Sequence, residues 1–288
     1  MQISHATRAA PSLPGLPGRI NEDLAASGPD WAFVLDGASP ARGVATGCRH
    51  DVPWLVRHLA AGLARRLALA APAPLTQVLA EAIAELAGTH RDTCDLTNPD
   101  SPSSTVAVAR ATPTTLDYLV LCDSPIVLRQ AGGRLTLIAD NRLARLPGGP
   151  PYTPEVVRTH RNQPGGFWVA STDPAAAFQA VSGSAALGKL TDAALFTDGV
   201  TRLADWYGYP WPVILTRLHD RGPDALIDLL RAAERACPHP RSKQHDDATV
   251  AHLHWPAIAL AGDASLRSDP DPRSDKSSPG CEQAPGIM

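Results

Sequence analysis

Four short acidic motifs lie far apart in this sequence of 288 residues, and their side chains could act together on one ligand. They are Asn21-Glu22-Asp23, Asp36-Gly37, Asp198-Gly199 and Asp246-Asp247. Each motif adjoins an apolar run, so folding could gather the carboxylates into one partly buried cluster. Such a cluster is unfavourable unless positive charge lies among the acids. We therefore expect it to bind a pair of divalent metal ions.

Two hard divalent cations about 3.5 to 4 Å apart need oxygen ligands, including at least one carboxylate that bridges them. Asp36 is the best candidate for the bridge. Gly37 and Gly199 lack Cβ, so the Gly37 carbonyl can approach a metal and the chain can turn sharply after Asp198. A single Asp-Gly pair is most often only a turn, and Asn-Glu-Asp is as often a solvated loop or a helix start. The hypothesis therefore depends on the order and surroundings of the motifs.

The elements that must position these acids can be read from the apolar periodicity. A continuous apolar run over 31–35 predicts a buried strand that delivers Asp36 at its C-terminal end. Leucines at every fourth position predict an amphipathic helix from Val52 to Leu69, and a similar pattern predicts a second helix over 75–86. Short β-prone runs then predict strands that pair antiparallel, at 105–109, 116–121, 126–128 and 135–138.

The second half of the chain repeats the association of acids with strand ends. A strand is predicted over 190–197 and ends at Asp198-Gly199; helices are predicted around 213–218 and 224–236, and a last strand over 249–253. Residues 146–166 are rich in Pro and Gly and predict a surface loop or flap, with Arg158, His160 and Arg161 on it. We expect one domain over 1–261, followed by a disordered C-terminal tail over 262–288.

The composition of the chain indicates which binding partners and which cellular compartment to expect. The formal net charge is -3 and the pI is near 6.3, so neither nucleic acid nor a membrane surface is an expected partner. The five cysteines are odd in number, scattered and without a Cys-x-x-Cys pair, which favours neither a disulfide framework nor a thiolate zinc site. No signal peptide or membrane span is evident. We expect a soluble, cytoplasmic protein that acts as a monomer.

Seven motifs follow one another in an order that is typical of one enzyme family. They are Arg-Ile-Asn-Glu-Asp (19–23), Val-Leu-Asp-Gly (34–37), Ser-Ser-Thr-Val-Ala-Val (103–108), Cys-Asp-Ser (122–124), Gly-Gly-Arg-Leu (132–135), Phe-Thr-Asp-Gly (196–199) and Asp-Asp-Ala-Thr-Val (246–250). The series resembles the metal-dependent PPM (type 2C) serine/threonine protein phosphatases of the bacterial type, which have Gly-Asp-Ser where this chain has Cys-Asp-Ser. The resemblance covers about residues 15–255.

The resemblance implies a fold, a reaction and a set of site residues. The fold is α+β, a four-layer α-β-β-α sandwich of two mainly antiparallel sheets flanked by helix pairs. The reaction is hydrolysis of phosphoserine or phosphothreonine in a phosphoprotein substrate, by a water that bridges two Mn2+ or Mg2+ ions. The implied residues are Asp36 as the bridging ligand, the Gly37 carbonyl, Asp198 and Asp246 as further ligands, Glu22 and Asp23 as holders of metal-bound water, Arg19 as the phosphate-binding residue and Asp123 as a ligand of a third metal.

Three positions depart from the family pattern. Arg19 lies four residues before Asp23, where the family has five, so Arg42, Arg49 and Arg202 are alternative phosphate clamps. Ala38 follows Asp-Gly where some members have a histidine that acts as general acid. His50 is a candidate replacement, although a structural role at a helix start is favoured. Arg202 stands where the family has a second third-metal acid, so we predict a weak or absent third metal.

Other interpretations of the residues lead away from this enzyme. A catalytically weak, phosphatase-like regulator that binds a partner is the main alternative, although retention of the main ligands argues against it. A haloacid dehalogenase type of hydrolase needs Asp-x-Asp, and Ala38 excludes it. The pair His252 and His254 on the last strand is interpreted as structural. An aromatic cluster over 206–211 is expected to pack a helix against the sheet, with a substrate groove less favoured.

Overall fold

The computed structural model describes residues 1–12, 18–40, 43–69, 73–238 and 244–256. The described strands are β1 (Gln2–Arg8), β2 (Leu24–Ser27), β3 (Trp31–Ala38), β4 (Ser103–Ala111), β5 (Thr115–Leu121), β6 (Ile126–Gln130), β7 (Leu135–Ile138), β8 (Val181–Ala186), β9 (Leu190–Phe196) and β10 (Ala248–His254). The described α-helices are α1 (Val52–Leu69), α2 (Leu75–His90), α3 (Pro154–His160), α4 (Asp198–Asp205) and α5 (Trp211–Ala236). Short 3-10 helices lie at Leu143–Arg145, Pro174–Gln179 and Leu187–Lys189.

The strands form two five-stranded sheets in which every pairing is antiparallel. The first sheet has the order β1-β10-β9-β6-β7, and the second has the order β2-β3-β4-β5-β8. A core of small and branched side chains fills the space between them, including Ala32, Ala107, Ala193 and Ala251. Alanine at these positions lets the two sheets approach closely.

Helices cover the outer face of each sheet, which completes four layers. On the second sheet, α1 and α2 pack against the odd-numbered residues of β3, such as Phe33 and Leu35. On the first sheet, α4 and α5 pack against Phe196 and Val250. The predicted α-β-β-α sandwich is therefore confirmed, and its layers follow from strands that are apolar on both faces.

Most of the predicted helices and strands are present, and the break within one long helix, α5, also matches the gap between two predicted helical patterns. The apolar periodicity over 52–69 and 75–86 corresponds to α1 and α2. The two helical patterns at 213–218 and 224–236 are the two halves of α5, which is broken at Gly222 (φ 80°) before Pro223. Glycine tolerates the left-handed conformation, and proline has no backbone N–H to donate to the preceding turn.

The Pro- and Gly-rich segment over 146–166 is partly helical. Thr153 caps α3 by accepting a hydrogen bond from the Val156 N–H, and Pro154 occupies the first helical turn. The basic residues of this segment bind the 91–102 loop, because Arg158 pairs with Asp100 and Arg161 donates to the Ser101 carbonyl at 3.1 Å. This side of the flap is therefore anchored to the body of the protein.

The predicted tail over 262–288 lies outside the described residues, which end at 256. Within the described part of the chain, no helix is both long enough and apolar enough to cross a membrane.

Candidate metal centre and active site

Strand alternation places Asp36 at the edge of the space between the sheets. Asp36 continues the face of β3 that carries Ala32 and Val34, which pack toward the first sheet. Gly37 lies on the opposite face, where its N–H donates to the Glu22 carbonyl at 3.1 Å. A Cβ at Gly37 would lie 2.6 Å from that carbonyl oxygen and 2.4 Å from a side-chain carbon of Val52. Close approach of the neighbouring chain segments therefore requires glycine at 37.

Asp198 is delivered from the first sheet, directly after β9. It is the first residue of α4, whose initial N–H groups donate to the Thr197 carbonyl, so the helix N-terminus favours its negative charge. A Cβ at Gly199 would lie 1.9 Å from the Asp247 carbonyl oxygen. Glycine at this position lets the segment before β10 pass against the start of α4, which brings the third and fourth acidic motifs together.

Asp246 is held by a buried arginine. The Nη2 atom of Arg202 lies 2.6 Å from Asp246 Oδ2, and the Asp247 N–H donates to Asp246 Oδ1 at 3.1 Å. The guanidinium of Arg202 also lies 4.2 Å from the ring centroid of Trp206, and it is 3.9 Å from a carboxylate oxygen of Glu234. Arg202, which stands where the resemblance predicts an acid for a third metal, therefore contacts the main acidic cluster directly.

A buried ionic network fixes the backbone of this segment on α5. Glu234 is fully buried and accepts two hydrogen bonds from Arg231 Nη1, at 3.1 and 2.9 Å. Arg231 Nη2 donates to the Asp246 carbonyl at 2.6 Å, and His245 Nδ1 lies 2.7 Å from Glu234 Oε2. Buried charges of this kind are stable only when they are paired and hydrogen-bonded. The network sets the position from which Asp246 faces the other acids.

The first acidic motif, Asn21-Glu22-Asp23, is hydrogen-bonded to Thr197, which precedes the third motif, and to Asp247, which belongs to the fourth. Asp23 is buried, and its Oδ2 accepts a hydrogen bond from Thr197 Oγ1 at 2.8 Å. Glu22 is partly buried, and its Oε1 accepts from Ser39 Oγ at 2.6 Å. Asp247 binds the backbone of this region, because its two carboxylate oxygens accept from the Ala10 and Glu22 N–H groups, each at 2.7 Å.

Asp123 joins the cluster from the end of β5. It follows Cys122, which has a φ of 68° and whose N–H donates to Asp140 Oδ2 at 3.1 Å. A positive φ is easily adopted by glycine and strained for other residues, which explains why glycine is usual before this aspartate. Cys122 is itself buried against Leu146 and Phe167.

The electrostatics show that five aspartates, Asp23, Asp36, Asp123, Asp198 and Asp246, lie within range of one another. Burial raises the pKa of Asp36 well above its usual value, and repulsion from Asp23 and Asp198 adds to the effect. Burial also raises the pKa of Asp198 to about 6, with further contributions from Asp123 and Asp246. Burial likewise raises the pKa of Asp23 to about 7. The cluster thus carries more negative charge than its surroundings neutralise.

The donor set fits divalent cations of the Mg2+ and Mn2+ type. Carboxylate and carbonyl oxygens are the ligands that hard cations prefer, and the side chains that converge in the cluster are carboxylates. Arg202 is the cation that opposes the raised pKa of Asp198. One guanidinium cannot balance five carboxylates, so the repulsion that remains is relieved either by protonation or by bound metal.

A cavity of about 470 Å3 opens beside the cluster and gives room for a substrate. Asp123, Asp198 and Arg202 line it together with Trp206 and Trp211. Trp211 also packs against the first sheet, as expected for the aromatic cluster, as do Tyr207 and Tyr209. Because Trp206 and Trp211 line this cavity, the less favoured expectation of a substrate groove stays a prediction for these two residues.

The candidate phosphate-binding arginines occupy different places. Arg19 is exposed, and the contact described for it is made by its backbone N–H, which donates to Ser12 Oγ at 3.2 Å. Arg42 lies outside the described residues. Arg49 is exposed, and Arg202 is paired with Asp246. His50, the candidate general acid, is grouped with Cys48, His90 and Cys94 and not with the clustered aspartates.

Sequence reasoning missed the residues that support the acids. Glu234 and Arg231 belong to no motif that would single them out, and Thr197 was noted only as part of Phe-Thr-Asp-Gly, with no role of its own. The burial of Glu234 becomes visible only when α5 is folded onto the 244–247 segment. The one available signal was the polar Thr197 in an otherwise apolar strand run immediately before Asp198.

Comparison with known proteins identifies the family of this arrangement. A family model described as protein phosphatase 2C matches residues 18–231, which is most of the chain. No curated protein sequence gave a significant match.

Solved structures show the same fold. The serine/threonine phosphatase PstP/Ppp of Mycobacterium tuberculosis is 16% identical over 87% of this chain and 97% of its own, with a TM-score of 0.58. The serine/threonine phosphatase Stp1 of Staphylococcus aureus is 15% identical over 88% of this chain and 95% of its own, also with a TM-score of 0.58. A catalytic domain of PstP in complex with two manganese ions is 15% identical over 87% of this chain and 96% of its own, with a TM-score of 0.55.

Proposed function

The chain belongs to the protein phosphatase 2C family of metal-dependent serine/threonine protein phosphatases, and from this premise we propose which of its residues carry out the reaction. Asp36, the Gly37 carbonyl, Asp198 and Asp246 are proposed to hold two Mn2+ or Mg2+ ions, with Asp36 shared between them. The observation that carries this assignment is the convergence of these acids from both sheets, with a strongly raised pKa at Asp36.

When bound, the two ions lower the pKa of a nucleophilic water and neutralise charge on the phosphoryl group. The residues of the chain position the participants around that chemistry. Glu22 and Asp23 are proposed to orient water, and the hydrogen bond from Thr197 to Asp23 fixes one of these carboxylates. Asp123 is proposed to belong to a third cation position that is weak or absent, because Arg202 stands where the other acid is expected.

Arg19 is proposed to bind the phosphate of the substrate. Its side chain is exposed, whereas Arg202 is already paired with Asp246. Trp206 and Trp211 line the adjoining cavity, and their rings are proposed to contact the substrate chain beside the phosphorylated residue.

The finer assignments concern compartment and assembly. We propose that the enzyme acts in the cytoplasm, where the free thiols of Cys48, Cys94 and Cys122 would persist. Cys237, in contrast, is disulfide-bonded. We also propose that it acts as a monomer, because one chain supplies all the carboxylates of the cluster. The alternative of a weak, phosphatase-like regulator is not favoured, since every main ligand is retained.

The test is hydrolysis of a phosphothreonine peptide and an aryl phosphate by the purified chain with Mn2+. We expect the Asp36→Asn variant to lose at least about 100-fold in kcat/KM, because the shared ligand loses its charge. Circular dichroism and thermal unfolding should show that the variant is folded. An unchanged rate in Asp36→Asn, or no metal-dependent hydrolysis by the wild type, would refute the assignment.

A further inference from the structure

Two cysteines and two histidines meet at a second site, separate from the acidic cluster. Cys48 and His50 lie in the segment between β3 and α1, His90 is the last residue of α2, and Cys94 follows four residues later. One ligand atom from each of the four residues lies within 4.8 Å of the others. The sequence gives no Cys-x-x-Cys signal here, because the α1–α2 hairpin has to return the chain before the two pairs can meet.

The distances within this group agree with tetrahedral coordination of one ion. Cys48 Sγ lies 3.7 Å from His50 Nδ1 and 3.6 Å from His90 Nδ1, and Cys94 Sγ lies 3.5 Å from His50 Nδ1. With ordinary zinc bond lengths, a sulfur and a nitrogen ligand are about 3.5 Å apart in a tetrahedron. The two sulfurs are 3.2 Å apart, so they would separate by about half an ångström to bind zinc.

The surroundings explain why this group needs a ligand. His90 is only 2% exposed, and its Nε2 has no hydrogen-bond partner among the described residues, while its Nδ1 faces a thiol. Buried imidazole groups ordinarily find a stronger partner than a thiol. Trp54 covers the site, because its ring stacks on His50 at 3.8 Å between centroids and lies 5.2 Å from the ring of His90.

The backbone around the four side chains is already ordered for binding. The Asp95 N–H donates to the Gly47 carbonyl at 2.8 Å, and Asn98 Nδ2 donates to the Ala45 carbonyl at 3.0 Å. The Arg49 N–H points at Cys94 Sγ at 3.4 Å, as is common for the sulfur of a metal-bound thiolate. The two loops that supply the ligands are therefore held together beside the ligands themselves.

We propose that Cys48, His50, His90 and Cys94 bind one Zn2+ ion at a closed structural site. Two thiolates balance the charge of the ion, and four protein ligands leave no position open for a substrate, so the ion has no catalytic part. It joins the segment that follows Asp36-Gly37 to the loop that leads into β4, and it occupies His50, which was a candidate general acid. The proposal is independent of the phosphatase assignment, because it shares no ligand with the acidic cluster.

The main competitor is a disulfide between Cys48 and Cys94. In the structure both cysteines are free, and a disulfide would leave the two histidines without a partner. The competitor makes a distinct prediction, since it leaves no thiol at Cys48 or Cys94, whereas Cys237 is disulfide-bonded in either case. The protein is therefore unfolded with chelator, alkylated without reductant and digested, and the masses of the peptides that contain Cys48 and Cys94 separate the two outcomes.

The first experiment measures metal content in the full-length protein, purified without chelator from cells supplied with zinc. We expect one equivalent of zinc by elemental analysis, and we expect the Cys48→Ser/Cys94→Ser variant to contain none. His58→Gln is the matched control, because His58 stacks on Trp54 at 4.0 Å but is not one of the four ligands, and it should keep its zinc. Loss of zinc should expose two additional reactive thiols and lower the melting temperature.

The second experiment does not depend on whether the double variant folds. Wild-type protein that has been stripped of metal and reloaded with Co2+ should show thiolate-to-cobalt charge-transfer absorption and the intense visible bands of tetrahedral coordination. Cobalt in the oxygen-rich acidic cluster cannot give thiolate bands, so the spectrum reports this site alone. Less than about a tenth of an equivalent of zinc together with no thiolate–cobalt band, or a disulfide located between Cys48 and Cys94 by the peptide masses, would overturn the proposal.

Discussion

Arg202 donates a 2.6 Å hydrogen bond to Asp246, so a buried cation is bound directly to one of the proposed metal ligands. Arg202 lies four residues after Asp198, in the first turns of α4, at a position where the family resemblance predicts another acid. Burial and the charges of Asp123 and Asp246 raise the pKa of Asp198, whereas the charge of Arg202 lowers it. The chain has thus replaced a potential ligand by a fixed positive charge.

This replacement predicts the number of metal ions bound. Titration of wild-type protein with Mn2+ by calorimetry should resolve two sites. The Arg202→Asp variant should gain a third, because a carboxylate would then face Asp123 across the cavity in place of a repelling cation. Arg202→Met is the control, since it removes the charge and supplies no ligand, and it should still bind two ions. Three resolved sites in the wild type would contradict the prediction.

Asp247 should contribute to stability, since its carboxylate binds two backbone N–H groups of the N-terminal region. Replacement by alanine leaves the Ala10 and Glu22 N–H groups without their acceptor, at a cost of about 1–3 kcal/mol each when such groups are buried. We expect Asp247→Ala to lose about 2–4 kcal/mol in urea unfolding. Asp247→Asn retains one acceptor oxygen and should lose about half as much; equal stability of all three proteins would exclude this role.

Gly199 should tolerate no side chain. A Cβ there would lie 1.9 Å from the Asp247 carbonyl oxygen, so the backbone must move to admit even alanine. We expect Gly199→Ala to lower stability by about 2 kcal/mol or more and to reduce the rate, because Asp198 and Asp246 are displaced relative to one another. Gly188→Ala is the matched control, since a Cβ at that position would have nothing within 4 Å, and it should unfold like the wild type.

Asp192 should make stability depend on pH in the acid range. Burial opposes its ionisation, yet hydrogen bonds from His252, Arg129 and His219 lower the pKa of this carboxyl group well below its usual value. A lowered pKa stabilises the fold above the unfolded value of about 3.9, and that contribution is lost as the pH falls toward the folded pKa.

The Asp192→Asn variant isolates this contribution. The contribution of the Asp192 carboxylate to the free energy of unfolding, given by the difference between wild type and variant, should be fully present at about pH 5. Below about pH 4 it should shrink, by at most about 1.4 kcal/mol per pH unit. Urea unfolding across this range measures it, and a difference that does not change with pH would contradict the prediction.

His252 and His254 both lie within 3.3 Å of Asp192, and Arg129 donates a hydrogen bond to its other carboxylate oxygen. These contacts support the structural role expected for the histidine pair.

The sequence predicted the interior of the fold better than its edges. The runs that became β3, β4 and β9 are buried on both faces, so their apolar composition was visible without a partner. The strands β1, β2 and β8 went unpredicted because they are edge strands with few large apolar residues, as in Val181–Ala186. Only pairing with a neighbouring strand makes such a segment extended.

The site was also predicted only in part, because the sequence shows local motifs and does not show contacts between residues that are far apart along the chain. Motifs of adjacent residues, such as Asp36-Gly37, are local and can be recognised. The contacts of Arg202 with Asp246 and of Glu234 with Arg231 join residues that are close only after α4 and α5 have packed on the first sheet. The meeting of Cys48 and Cys94 likewise depends on the return of α2 along α1, and the scattered spacing had argued against it.

Because the carboxylates are divided between the two sheets, bound ions would also stabilise the fold by joining the sheets. Asp36 belongs to the second sheet, whereas Asp198 and Asp246 adjoin strands of the first. An ion held by all three would join the two sheets. At a free concentration of 100 times its dissociation constant, it would add about 2.7 kcal/mol to the free energy of unfolding. Heat tolerance would then rise and fall with the supply of manganese or magnesium, so that the enzyme is most durable under the conditions in which it can work.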